Sequence, residues 1–296
     1  MPAKRPSPLV LGLSLAAMLA MWSFNYVAGK VALRHFDGLT LASFRIVLAA
    51  AVLLPIYFLR RDRPVLNARD IWTLSYLGWL LCLNQMFFTI GLAYTTSGHS
   101  SMILAIGPIL VLLLARAMKL EALTTAKMLG MAIAFTGAVI LASENGLDLR
   151  RSPTLSGDLL TLAGTSSFTF YVVLSKKVAK RYDSITMNAV NFFASAAVLL
   201  PVAIWCGVRL DWHSVGWPAW IGLAYMAAIS SVAAYTLFYW ALRYMEASRV
   251  SAVNYFQPLG AILVAAMFLG EIPTRHLVLG GAMILLGVYM AERAKA

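Results

Sequence analysis

The chain has 296 residues, of which 61% are hydrophobic and 12% charged, with a formal net charge of +12 and a mean hydropathy of +0.78. That apolarity exceeds what a soluble domain carries, and two cysteines make no disulfide framework. The positive charge is spread over the connections between apolar runs instead of gathering in a patch or tail, so no nucleic-acid partner is expected.

A helix needs roughly 20 apolar residues to cross a bilayer. The charge-free runs include Leu9–Gly29, Ile71–Ala115, Trp212–Leu242 and Val250–Gly270, and the second is long enough for two crossings. In chain order, the pattern predicts ten helical spans at 9–33, 38–59, 70–94, 98–118, 125–143, 157–178, 184–206, 216–242, 247–269 and 276–292. Alternating β-barrel patterning is absent. The opening "MPAKRPSPLVLGLSLAAMLA" also has the basic head and apolar core of a signal peptide.

The first span places Trp22 and Asn25 together on one face, with Lys30 near its far end. Arg45, in "TLASFRIVLAAAV", lies six residues inside the second span, about 9 Å deep at 1.5 Å per residue. That is near the limit of snorkelling. A guanidinium facing lipid at the bilayer centre costs at least ~2.5 kcal/mol, so Arg45 should face the protein interior. It reads either as an outer gate or site for a substrate carboxylate, or as a structural group tying off helix-end carbonyls. The third span carries Asn84 and Gln85, and the fourth carries Ser101 and Pro108. Phe168 and Tyr171 follow on the sixth, Asn191 on the seventh, and Tyr235 and Tyr239 on the eighth. The ninth span contains "AVNYFQPLGAIL", which puts Asn254, Gln257 and Pro258 where the chain should be in oil. Cys82 and Cys206 read as packing residues, and Trp205, Trp212, Trp217 and Trp220 as anchors at one membrane edge.

Sliding the chain against itself by 146 residues aligns "FNYVAGKVALRHFDGLTLASFRIVLAAAVLLP" with "FYVVLSKKVAKRYDSITMNAVNFFASAAVLLP". A shift of 150 pairs Pro108 with Pro258, Glu121 with Glu271, Gly130 with Gly280 and Gly137 with Gly287. The chain is thus expected to be a duplicated five-helix unit, 9–143 and 157–292, joined by 144–156. A signal peptide would not be copied into mid-chain, so the first span is expected to be retained. Five is odd, so the second copy enters inverted. The fold class expected is an all-α membrane protein, ten transmembrane helices as two inverted five-helix repeats. Lys and Arg concentrate in the connections on the terminal side, as at Arg60, Arg61, Lys176 and Lys177. The other side holds only Arg34, Arg150, Arg151, Arg209 and Arg275. Both termini should therefore be cytoplasmic, in a multi-pass protein of the cell inner membrane.

Inverted repeats are the architecture of secondary transporters, with a substrate site at the midplane between the copies. Polar groups at membrane depth survive only against protein or a watery cavity. The expected substrate-binding set is Trp22, Asn25, Arg45, Asn84, Gln85, Ser101, Phe168, Tyr171, Asn191, Tyr235, Tyr239, Asn254 and Gln257, with Pro108 and Pro258 as helix hinges. Asn254 and Gln257, three apart, should share a face. The plainer alternatives are amides bonding neighbouring helices and aromatics filling the core. A scaffold without cargo is a further alternative, but alternating access gives the inversion a use. His, Asp and Glu fall at span ends and loops, so neither a metal nor catalysis is expected, and no cofactor. The lack of a midplane acid favours facilitated or exchange transport over proton antiport.

Two stretches also resemble a known family. "SSVAAYTLFYWALRYMEASRVSAVNYFQPLGAILVAAMFLGEIPTRHLVLGGAMILLGVYM" is similar to the second EamA domain of the drug/metabolite transporter superfamily. "GLAYTTSGHSSMILAIGPILVLLLARAMKLEALTTAKMLGMAIAFTGAVIL" is similar to the first. The first copy departs in having Leu120 where the second has Gly270. The resemblance covers essentially the whole chain. It implies ten helices, a central cavity and export of small metabolites or drugs, with substrates ranging over amino acids, nucleotide-related compounds and toxic cations. Amino acids with aromatic or bulky apolar side chains are the expected cargo, carried by a monomer in the lipid bilayer. A multidrug or nucleotide-related exporter is the alternative, and an intramembrane enzyme a remote one.

Overall fold

The computed structural model describes residues 6–94, 100, 103–104, 106–120, 124–142, 155–257, 259–260, 264, 267 and 275–293, and among these the chain is entirely helix, turn and short connection. The first half holds α1 (Pro8–Ala32), α2 (Gly38–Phe58), α3 (Ala68–Tyr94), α4 (Gly107–Ala117) and α5 (Thr125–Ala142). The second half holds α6 (Leu155–Val178), α7 (Ser184–Arg209), α8 (Trp217–Ala224), a π-helix (Tyr225–Ala233), α9 (Ala234–Tyr244), α10 (Ala247–Ala252), a 3-10 turn (Val253–Phe256) and α11 (Arg275–Arg293). Among the described residues, five helices are long and apolar enough to cross a membrane: α1, α2, α3, α7 and the continuous Trp217–Tyr244. Pro258, Ser101, Glu121, Gly270 and Glu271 lie outside the described residues.

The helix starts follow from local chemistry. Ser7 caps α1 by accepting from Val10 N at 3.3 Å, with Pro8 in the first turn, where no N–H partner is needed. Asp37 and Asp183, 146 residues apart, cap α2 and α7 in the same way. Each carboxylate takes two amides, from Leu39 and Thr40 or from Ile185 and Thr186. Pro55 and Pro201 sit inside these two helices at equivalent positions. The repeat seen in the sequence is therefore repeated in helix geometry.

The core lies where the two halves interleave. α5 packs along α11, α3 along α6 and α7, α2 along α7, and α1 along α8 and α9. Small residues make the closest crossings. A methyl on Gly137 would lie 2.6 Å from Gly280 O, and one on Gly130 2.6 Å from Gly287 O. The glycines shared by the two copies thus sit against each other. Cys82 and Cys206 are both buried and free, in keeping with a packing role.

The two ends of the bundle are held differently. At the end where α1 begins, ion pairs join the halves: Arg60 to Asp183 at 2.7 Å, Arg181 to Asp70 at 2.8 Å and Lys127 to Glu246 at 2.7 Å. At the opposite end the halves meet through rings, Phe36 against Trp220 at 5.1 Å and Phe44 stacked on Trp212 at 6.1 Å. Trp212 and Trp220 also stack on each other, while Trp205 and Trp217 are exposed, as expected of anchors along one edge.

Candidate substrate cavity

A cavity lies between the halves, lined by Trp22, Asn25 and Tyr26 of α1, Arg45 of α2, Asn84, Gln85 and Phe88 of α3 and Leu104 from the first half. Phe168 of α6, Tyr235 of α9, Asn254 of the 3-10 turn and Gln257 line it from the second. Its free volume is about 60 Å³, room for a handful of waters and too small for a bulky organic solute. A substrate is admitted only if the surrounding helices move apart.

One wall is aromatic. Trp22 meets Tyr235 at 5.3 Å and Phe168 at 6.4 Å, and its indole N–H donates to Ser230 O at 3.2 Å. Ser230 lies in the π-helix formed by residues 225–233. Such turns widen the backbone and recur at functional sites. In the same turn the Ser231 hydroxyl donates to Met226 O at 2.8 Å and accepts from Arg45 Nε at 2.9 Å. A wider turn therefore sets the position of the cavity's cation.

The lining also carries linked amides. Gln257 Nε2 donates to Asn254 Oδ1 at 3.0 Å, and the Tyr26 hydroxyl donates to Gln257 Oε1 at 3.3 Å. The 3-10 geometry of 253–256 brings residues three apart into near eclipse, which seats Asn254 under Gln257. Asn84 Nδ2 donates to Gly164 O at 3.0 Å, binding α3 to α6, so this amide also serves as interhelical glue. Among the described residues Asn25 Oδ1 is buried without a hydrogen-bond partner, as are the hydroxyls of Ser23, Thr89 and Ser230. Buried polar atoms are normally satisfied, and of these four residues Asn25 is the one in the cavity lining.

The cavity thus collects Trp22, Asn25, Arg45, Asn84, Gln85, Phe168, Tyr235, Asn254 and Gln257 from the expected set. Tyr171, Asn191 and Tyr239 stand outside its lining, in a packed block behind the aromatic wall. The Tyr171 and Tyr239 hydroxyls bond each other, the Asn191 amide is paired with the Tyr239 hydroxyl at 2.6 Å, and Tyr171 stacks on Phe238 at 6.1 Å. Asn191, which the shift of 146 pairs with Arg45, thus lies outside the lining of this cavity although Arg45 belongs to it. The rings of the second half fill the space on the Asn191 side. Pro108 occupies the first turn of α4 instead of its middle, so the fourth helix begins afresh there. Tyr26, Phe88 and Leu104 join the lining without having been singled out by the sequence pattern. Tyr26 lies four residues beyond Trp22 and Phe88 four beyond Asn84, so helical spacing is the signal that points to them.

A second and larger space, about 710 Å³, opens at the end where α1 begins, between Pro8–Leu19 of α1 and Tyr244, Glu246, Arg249, Val253 and Phe256. Leu19 is one turn from Trp22, and Val253 adjoins Asn254, so this groove runs to within a turn of the central cavity. Lys30, near the other end, donates to Leu92 O at 2.9 Å.

The sequence pattern of the EamA-like transporter family matches residues 10–143 and again 155–292. The chain belongs to the EamA-like transporter family. It is a multi-pass membrane transporter of the drug/metabolite type and not an enzyme. An uncharacterized transporter of Archaeoglobus fulgidus is 28% identical over 283 residues, covering 94% of this chain and 96% of that protein. The uncharacterized transporter YoaV of Bacillus subtilis is 24% identical over 288 residues, covering 94% and 95%. A probable terminal-alkyne amino-acid exporter of Streptantibioticus cattleyicolor is 24% identical over 288 residues, covering 95% and 92%. A solved crystal structure superposes with a TM-score of 0.78 over 96% of this chain and 98% of its own, at 17% identity, and so shares the fold.

Proposed function

We propose that this EamA-family transporter exports small metabolites, above all amino acids with aromatic or bulky apolar side chains, by alternating access. It would do so as a monomer in the cell inner membrane, with ten crossings and both termini cytoplasmic. The observation that carries the reading is the composition of the central cavity. Rings and amides line it together, with one guanidinium among them, which suits a solute with an apolar body and a polar head. The groove beneath it, at the proposed cytoplasmic end, supplies a route for loading from the cell interior. The exporter named in Streptantibioticus cattleyicolor supports the substrate class from a distance. Among the described residues the cavity lining includes no Asp, Glu or His, which favours exchange or facilitated flux over proton antiport.

The test is counterflow in proteoliposomes against a panel of amino acids, nucleotide sugars and quaternary ammonium drugs. Exchange of aromatic and branched amino acids supports the proposal. Exchange confined to the sugars or the drugs refutes it in favour of a nucleotide-related or multidrug exporter. Efflux that accelerates with a pH gradient at constant voltage would refute the coupling.

A further inference from the structure

The geometry points to Arg45 as the receptor for a carboxylate on the cargo, so that the solutes carried are monocarboxylates with an apolar body, whether or not they also bear an amine. The inference rests on the reading of this chain as an exporter of small organic solutes.

Arg45 is 3% exposed. Of its five N–H donors, the Nε proton is taken by Ser231 Oγ at 2.9 Å, and no other hydrogen bond or ion pair joins it to a described residue. Other cations of the bundle are matched to acids: Arg60 to Asp183, Lys127 to Glu246 and Arg181 to Asp70. Arg45 alone among the cavity-lining residues is charged. A buried charge without a partner is the costly case, and an anion laid against the planar fork relieves it.

The surrounding groups narrow which anion. A doubly charged phosphate would call for a second cation, and among the described residues the lining includes no Lys, His or second Arg. A small inorganic anion would make no use of the apolar lining that Trp22, Phe168 and Tyr235 supply. A carboxylate carrying a ring or branched chain meets both needs. For an ammonium group the cavity offers only neutral acceptors. Among the described residues Asn25 Oδ1 has no partner, and Gln257 Oε1 already accepts from Tyr26. An amine is accommodated there but not demanded, and a cation lacking a carboxylate would face Arg45 with no counter-charge. Ser231 is a positioning residue. Its own proton is committed to Met226 O, so its lone pairs are held toward Arg45 Nε.

The experiment is counterflow by the full chain in proteoliposomes with four relatives of one solute: phenylalanine, its 2-oxo acid, its methyl ester and its decarboxylated amine. The two acids should exchange at similar half-saturation, and the ester and amine about 10- to 100-fold more weakly, the worth of a charge-assisted contact. Arg45→Gln should collapse the preference for acid over ester, which a folding defect alone would not do. Ser231→Ala should raise half-saturation for both acids about 3- to 10-fold while leaving the ester unchanged, and Ser231→Thr should restore it. Ester or amine moving as well as the acids overturns the assignment while the exporter reading stands. If only the amino acid moves and the 2-oxo acid does not, the amine is required and the proposal is wrong. Failure of every organic solute removes the exporter reading and this inference with it. The unmodified protein with the four solutes decides the matter even if Arg45→Gln does not fold.

Discussion

Asp183 shows how much one residue at a helix start holds together. It caps α7 through the amides of Ile185 and Thr186, accepts the Thr186 hydroxyl at 2.6 Å and receives Arg60 Nη1 at 2.7 Å. Burial alone would raise its carboxyl, but the Thr186 hydroxyl, the Arg60 guanidinium and the Thr186 amide outweigh that and hold it below the ordinary value of 3.8. A depressed carboxyl contributes stability that is present above the ordinary value and is lost as pH falls below it toward the lowered one. Asp183→Asn keeps an amide-accepting cap but loses the ion pair. It should lower stability at neutral pH by about 0.5–1 kcal/mol for a partly exposed pair, with the difference from the parent protein vanishing in strong acid. Thermal unfolding of detergent-solubilised protein between pH 3 and 7 measures both. At the same scale, a methyl on Gly78 would meet the Asn191 backbone, with Cα at 2.8 Å. Gly78→Val should therefore force α3 off α7 and sharply reduce the yield of folded protein, whereas the same change at Gly12, with open space around it, should not.

Among the elements, the π-helix at 225–233 shapes the cavity most directly. Its widened turn presents Ser230 O to Trp22 and Ser231 Oγ to Arg45, and fixes the rotation at which Tyr235 enters the cavity. Deleting Ile229, a partly exposed position in that turn, would return the segment toward ordinary α geometry and remove the wide turn that Trp22 and Arg45 meet. The expected outcome is a protein that still reaches the membrane and elutes as a single species but exchanges no solute. Normal counterflow by the deletion variant would show that the π-turn is dispensable. The α5–α11 crossing is the contrasting case. Gly130 and Gly287 meet backbone to backbone, so leucine at either position should destabilise the bundle as a whole without changing solute preference.

At the scale of the molecule, the pseudo-symmetry of the repeats is broken at the two ends. The counterpart of Arg60 under the shift of 146 is Cys206, so the ion pair at Asp183 has no copy at Asp37, whose carboxylate instead takes the Thr40 hydroxyl and two amides. Charged staples at one end and rings at the other make the two directions of opening unequal in free energy. Glu246→Gln combined with Arg60→Met should loosen the stapled end. Spin-label distances across the loops joining α2 to α3 and α6 to α7 should lengthen or broaden, while those across Phe36 and Trp220 stay as they were. Unchanged distances at the stapled end would show that these pairs do not bias the carrier.

Membrane class, duplication and the principal cavity-facing polar residues are legible in the sequence because each leaves a local trace. A polar group inside an apolar run is costly in hydrocarbon, so Arg45, Asn84, Gln85, Asn254 and Gln257 mark a protein interior by their position in the chain alone. The matched glycines and Asp caps are visible because duplication repeats them at fixed spacing. Which of two equivalent positions faces the cavity is not written there. Arg45 lines it and Asn191 does not, because the rings of Tyr171, Phe238 and Tyr239 fill the second half's side, a matter of packing among residues far apart in the chain. The π-helix is likewise invisible in the sequence. "YMAAISSVA" carries no breaker, and its wider turn meets Trp22 and Arg45 only once α1 and α2 lie against it. Apolar periodicity is a local property, whereas the choice between two faces of a pseudo-symmetric bundle is made by volume and hydrogen bonding in three dimensions, and only the tertiary structure contains those.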